Sequence, residues 1–405
     1  MIRESPDPSL PGRLREFHER LPLAGDPPNA VLSLPDDRIL YLAAILRDTP
    51  VPAPALSLEE WQAFLDHLRP HGVYPLIAYR LRSWPEDCRP PAKVMAWLNR
   101  VFLYAAARTM RAGRQIQEVV DALEEAGIPS VLLKGPALAR TVYPDPALRQ
   151  SVDIDLLVRP ADVPAAEAVL EGLGYSCPTK YFHLTPTASN NETFGADDGR
   201  MPVELHWRLD FALDLSPGTY LEGVISRRVP VESDGLSFAT LWPADHLLYL
   251  AFHDGFQHSD FRLDWALDLA MLMPAVESKE DWDRLVRASV DLCTRDALEL
   301  TTATSALWTG ADVTVPPGTL DYAAWPAATE RERGLWDHSP AHHNSLVSYA
   351  WLMLQGQQGP AAKVRWAWRF VFPPAEMLVA YRRSGSRVDI PIAHFRRWVS
   401  IIKYV

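Results

Sequence analysis

Two aspartates separated by one isoleucine, Asp153-Ile154-Asp155, run directly into Leu156-Leu157-Val158, and this constrains the chain more than any other feature. Side chains on a strand alternate with a period of two, so both carboxylates leave the same face and lie side by side. At that separation two like charges repel by roughly 3 kcal/mol for an effective dielectric near 20. No polar alternation follows the pair, so the run reads as a central strand rather than a solvated edge. A fold gains nothing from such a pair unless a cation lies between its members. Magnesium held by one or two carboxylates together with substrate phosphates is the usual arrangement, and the pattern points to metal-dependent phosphate chemistry.

The residues upstream suit the same chemistry. Ile128 to Leu133 is a short apolar run that reads as a buried strand, closed by Lys134-Gly135-Pro136. A helical segment is predicted over 137–142, ahead of a YPDP turn at Tyr143 to Pro146. Glycine at a strand-to-helix turn lets backbone N–H groups approach a phosphate, and the helix N-terminus favours negative charge. Lys134 adds a point charge beside it. A lone Lys-Gly would mean little; followed eighteen residues later by Asp-x-Asp on a strand, it reads as a nucleotide-binding turn.

The stretch LKGPALARTVYPDPALRQSVDIDLLV, with VELHWRL at Val203 to Leu209, resembles the uncharacterised bacterial nucleotidyltransferases of the DNA polymerase β-like superfamily. The resemblance spans most of the chain and is strongest from about 105 to 270. It implies a phosphate-gripping turn at Gly135, metal-holding aspartates at Asp153 and Asp155, and a third carboxylate at Glu204. In two respects this chain departs from the pattern. Lys134-Gly135 stands where many relatives have Gly-Ser, with a longer gap to the aspartates, and Glu204 stands where aspartate is frequent.

Within VELHW, Val203 and Leu205 face one way and Glu204 and His206 the other. Glu204 is thereby expected as a third metal ligand or as a base for an incoming hydroxyl, with His206 beside it in a supporting position. Arg149, four residues before Asp153, can contact a triphosphate or pair with an aspartate. A second constellation, His246, His253 and Asp254 with Asp264 or Asp268 beyond, has the residue types of a metal phosphohydrolase. Its two histidines are seven residues apart on one helix, about 10 Å along the axis, which is too far for one metal. A local network joining His253 to Arg262 or Asp264 is the expectation there.

Bulk properties narrow the partners. With 405 residues, 48% of them apolar and 22% charged, the chain can build a substantial core. A net charge of −11 disfavours a long polynucleotide as partner. Three widely spaced cysteines without a CxxC pair, no apolar leader in MIRESPDPSLPGR and no run long enough to span a membrane lead to the expectation of a cytoplasmic protein. The aromatic and basic stretches at 366–372 and 395–405 are read as packed helices with snorkelling cations.

The predicted fold class is α+β, a small mixed-sheet nucleotidyltransferase core flanked by N- and C-terminal helical domains. Its parts are a proline-rich lead-in (1–35), a helical region (36–110) with helices at 36–46, 58–82 (broken near Pro70) and 91–111, the core (111–240), and a C-terminal helical domain (241–405). In the core, helix 111–126 precedes strands at 128–133, 152–158, 174–184 and 201–209, with a helix at 160–172 and a loop or turn at 189–200. Helices are predicted at 244–256, 263–273, 279–290 and 296–308, then between 328 and 383. The expected function is magnesium- or manganese-dependent transfer of a nucleoside monophosphate from a triphosphate to a hydroxyl of a small molecule or peptide. Asp153, Asp155 and Glu204 would hold metal, and Lys134, Gly135 and Arg149 nucleotide. The alternatives are a metal-dependent glycosyltransferase using a nucleotide-sugar, or a silent binding module on the same fold.

Overall fold

The computed structural model describes residues 5–19, 33–177, 190–209, 217–254, 262–291 and 295–311, with isolated positions between 363 and 372. The chain divides into two units. The first draws its described residues from Met1–Arg111, Ala137–Gln150 and Pro243–Ala341, the second from Ala112–Pro136, Ser151–Trp242 and His342–Val405.

The second unit holds a six-stranded mixed sheet. Its strands are β1 (Val131–Leu132), β2 (Ile154–Leu157), β3 (Asn191–Phe194), β4 (Val203–His206), β5 (Val229–Ser233) and β6 (Leu236–Thr240), in the order β3-β4-β2-β1-β6-β5. β2 runs parallel to β4 and β1 parallel to β6, while the other pairings are antiparallel. All four residues of β2 are buried, as the unbroken apolar run after Asp155 predicts for a central strand. Ile154 and Leu156 share a face with Val203, Leu205 and Phe194 of the neighbouring strands, all fully buried. Asp155, Glu204 and His206 are left on the other face. Gln115 fixes the approach to β4: its amide donates to the Met201 carbonyl and to the Tyr175 hydroxyl, and accepts from Met201 N–H at 3.0 Å.

The α+β class is borne out, and several predicted elements are redrawn. The helical pattern read over 91–111 and continued over 111–126 is one helix, Ala92–Glu125. Its buried face is Val94, Leu98, Phe102 and Ala105, then Ile116, Val119, Val120 and Leu123. The alanines and arginines between these two sets are strong helix formers and carry the helix across. The loop predicted at 189–200 contains β3, an edge strand whose residues Asn-Glu-Thr-Phe carry little apolar signal. β5 and β6 form a hairpin closed by Asp234 (φ 52°) and Gly235 (φ 77°), the two left-handed positions of a type I′ turn. Of the strand predicted at 174–184, the described part contributes an isolated bridge from Ser176 to Gly195, and the remainder lies outside the described residues.

The first unit is helical. Leu10–Glu19 is a helix with Leu10 and Leu14 buried, where the sequence suggests a loosely packed lead-in. Further helices at Asp36–Arg47, Leu58–Leu68, Tyr74–Leu81, Pro243–Phe252, Leu263–Leu272, Lys279–Asp291 and Arg295–Thr309 follow the predicted order. Ser57 and Glu60 form a capping box on the helix from Leu58. The helices predicted beyond 312 lie outside the described residues, as do most of 366–372 and all of 395–405. Among the described residues no helix is long and apolar enough to cross a membrane.

Candidate metal and phosphate site

The parallel register of β2 and β4 sets Asp155 beside Glu204, with His206 two residues further along the same face. His206 Nε2 lies 2.9 Å from Asp155 Oδ1 and 3.5 Å from Glu204 Oε2. Ligand atoms of Asp155, Glu204 and His206 all fall within 4.8 Å of one another, and among the described residues no other such group is found. Asp155 and His206 are each 1% exposed, whereas the Glu204 side chain is 23% exposed and so is the accessible member. Asn191 of β3 donates to Glu204 Oε2 at 2.8 Å and fixes that carboxylate. Sequence reasoning misses Asn191 because it lies in a segment predicted as loop.

Lys134 closes the group. Its ammonium lies 2.9 Å from Asp155 Oδ1, and its backbone is left-handed, with φ of 50°. A side chain other than glycine, asparagine or aspartate rarely adopts that conformation, at a cost of about 1–2 kcal/mol. The helix predicted to start at residue 137 therefore starts at Lys134 and runs to Thr141. The left-handed residue at the turn is Lys134 and not Gly135, which is buried.

The electrostatics follow from these contacts. Burial works against a charge on Asp155, but Lys134 and His206 overcome it and hold the carboxyl far below its usual range. Burial alone would lower His206, yet its hydrogen bonds to Asp155 and Glu204 hold the imidazole up at about 9. Asp153 sits in the bend before β2, half-buried. It stands outside the convergent trio but feels it: burial, then the charges of Asp155 and Glu204, push its carboxyl up to about 6. Asp155 Oδ2 and His206 Nδ1 are buried without a hydrogen-bond partner among the described residues.

The remaining predicted residues belong to the first unit. Arg149 Nε lies 2.9 Å from both oxygens of Asp268, its Nη2 lies 2.8 Å from Oδ2, and its Nη1 lies 3.3 Å from Asp264. The Tyr143 hydroxyl donates to Asp268 at 2.7 Å, and Arg262 grips both oxygens of Asp264. His253 bonds its neighbour Asp254 at 2.9 Å and packs edge-on against Trp265, over which Arg262 also lies. His246 is buried, with its Nε2 unpartnered among the described residues. Among the described residues no shared metal position links these histidines.

A mixed sheet with two carboxylates and an imidazole converging beside a lysine at a strand-to-helix turn is a candidate metal site in a nucleotidyltransferase-like fold. The chain belongs to the uncharacterised nucleotidyltransferase family, whose model matches residues 57–310. No curated protein matches it. Among solved structures, an antigenic nucleotidyltransferase-like protein from Paracoccidioides brasiliensis is similar at 16% identity, over 47% of this chain and 93% of that one, with a TM-score of 0.30.

Proposed function

We propose that this protein is a divalent-metal-dependent nucleotidyltransferase of the DNA polymerase β-like type. It would move a nucleoside monophosphate from a triphosphate to an acceptor hydroxyl. The observation that carries this reading is the convergence of Asp155, Glu204 and His206 beside Lys134 in a chain of this family. The residues fit a cation: three donors meet, and Asp155 keeps one buried oxygen unpartnered among the described residues. With Asp153 at their side, they would hold a metal that neutralises the carboxylates and draws charge from phosphate oxygens.

The chain's own residues supply the rest. Lys134, left-handed in its backbone, offers an ammonium to the phosphates, and Gly135 follows it in the first turn of the helix, where unpaired backbone N–H groups favour an anion. Glu204, the accessible acid, accepts the proton of the acceptor hydroxyl as its oxygen bonds to the α-phosphorus. The bond from that phosphorus to the bridging oxygen breaks, and pyrophosphate leaves. Catalysis on this plan is mostly positioning and charge placement. Arg149, expected to contact a triphosphate or to pair with an aspartate, is engaged by Asp268 and Asp264, so this reading gives it the second role. The acceptor is a small molecule or a peptide, since the net charge of −11 opposes a long polyanion. The cysteine usage fits a cytoplasmic setting.

Calorimetric titration of ATP, GTP, CTP and UTP, and of UDP- and GDP-sugars, with and without magnesium, tests this reading. Magnesium-dependent triphosphate binding, lost in a folded Asp153→Ala/Asp155→Ala variant, is the expected result. Binding of sugar nucleotides alone would replace it with glycosyl transfer. No nucleotide binding under any condition would leave a silent module on the same fold.

A further inference from the structure

We propose that the cation bound on this sheet is held by an imidazole as well as by carboxylates. Asp155, Glu204 and His206 form the coordinating set, and it selects a first-row transition ion such as manganese over magnesium. This rests on the reading above only in requiring that a divalent cation binds.

The argument begins with register. Adjacent strands lie about 4.8 Å apart, and the parallel pairing of β2 with β4 sets Asp155 opposite Glu204 and Leu157 opposite His206. Glu204 and His206, two residues apart, share one face, and the His206 ring reaches across to Asp155. Donors on neighbouring corners around an ion bound at about 2.1 Å are about 3 Å apart. The 3.5 Å from His206 Nε2 to Glu204 Oε2 is near that size, and the 2.9 Å from Nε2 to Asp155 Oδ1 keeps the second carboxylate beside the same ring nitrogen. By contrast, Asp153 lies outside the group of mutually close ligand atoms.

The second observation is independent of spacing. Asp155 is 1% exposed, and its Oδ2 has no hydrogen-bond partner among the described residues. An acceptor buried without a partner costs about 1–3 kcal/mol, and more when charged. Lys134 and His206 both meet Oδ1, so the contacts in place leave half of this carboxylate unsatisfied. A cation on Oδ2, with His206 Nε2 giving its proton to solvent as the ion takes its place, supplies the partner that this buried oxygen lacks.

The donor chemistry then decides the ion. Carboxylate and water oxygens suit magnesium, which keeps its waters and gains little from nitrogen. Imidazole raises affinity along the first transition row, and manganese accepts mixed nitrogen and oxygen donors in six-coordinate geometry while leaving positions for phosphate oxygens.

The test is Mn2+ titration of the full chain followed by electron paramagnetic resonance, with pulsed detection of coupled 14N. The expected result is one tightly bound Mn2+ carrying an imidazole 14N signature that is absent in His206→Gln. That variant should bind Mn2+ at least 10-fold more weakly while its Mg2+ affinity changes by less than about 3-fold. Mn2+ bound in an Asp155-dependent way without a 14N signature would overturn the proposal and leave the metal site standing. Equal weakening toward both ions would do the same. No Mn2+ or Mg2+ binding, with or without nucleotide, would remove both. Should His206→Gln fail to fold, the signature in the unaltered protein decides the question.

Discussion

Each unit buries a cluster of acids and bases, and the two clusters are finished differently. In the helical unit, Asp268 is met by Arg149 and Tyr143, and Asp264 by Arg149 and Arg262, so each oxygen of these two carboxylates has a partner. In the sheet unit, Asp155 keeps Oδ2 bare of described partners and Asp153 is pushed up to about 6 by burial and by its acidic neighbours. A network in which every group is paired rigidifies a fold, whereas one left short of positive charge lacks a component. The first is therefore a clamp and the second the candidate site.

The largest effect should come from breaking the clamp. Arg149→Leu leaves Asp268, 1% exposed, without a cation and takes one of two guanidiniums from Asp264, and urea denaturation should show a loss of about 3–5 kcal/mol. Arg149→Leu/Asp268→Leu should recover part of that loss. If Arg149→Leu is instead as stable as the parent but weakens nucleotide binding, the guanidinium serves ligand after all and the contrast fails.

The ingredients of both clusters are legible in the sequence, but their partners are not. Asp155 on a buried central strand and the shared face of Glu204 and His206 follow from the apolar run and the two-residue period, whereas Asp153, expected beside Asp155 on that strand, lies in the bend before it. The parallel register that sets Asp155 beside Glu204 joins strands some fifty residues apart, and no local pattern encodes it. β3 escapes a sequence reading because an edge strand needs no apolar alternation, although Asp234-Gly235 between alternating residues is a readable hairpin signal. Arg149 is ambiguous for the same reason as the register, since its partners lie more than 110 residues away.

Acid should sharpen the comparison from the clamp's side. His71 accepts the Leu263 N–H at 3.4 Å, and burial, partly offset by Asp264, lowers it to about 4; burial alone lowers His246 to about 3. Both are bases with folded values below the ordinary 6.5, so the unfolded chain takes up protons first as pH falls. Stability is full above 6.5 and declines toward pH 4, by roughly 2–4 kcal/mol at pH 5. His246→Leu should flatten that decline. An unchanged slope would mean that these rings are not held neutral.

At the site the sign reverses. The folded value of Asp153 lies above its ordinary 3.8, so its contribution is complete at low pH and is lost as pH rises through about 6. Asp153→Asn should therefore stabilise the metal-free protein at pH 7 by about 1–2 kcal/mol, with no gain at pH 4, while weakening metal binding. A variant that is destabilised at pH 7 would make Asp153 a structural group like Asp268.

The smallest effect isolates the strain at the phosphate turn. Lys134→Ala and Lys134→Gly both remove the ammonium from Asp155, so both lose the same ion pair. They differ at the backbone, because alanine at φ of 50° keeps the steric cost and glycine does not. Glycine, for its part, loses more conformational freedom on folding. The left-handed penalty outweighs that loss, so Lys134→Gly should be more stable than Lys134→Ala by about 1 kcal/mol in thermal or urea unfolding. A backbone held in that conformation against its own preference, with the side chain aimed at the incomplete acid, fits a residue placed for chemistry. Equal stabilities would mean that the turn relaxes once the lysine is gone, leaving the ion pair to Asp155 as what bends it.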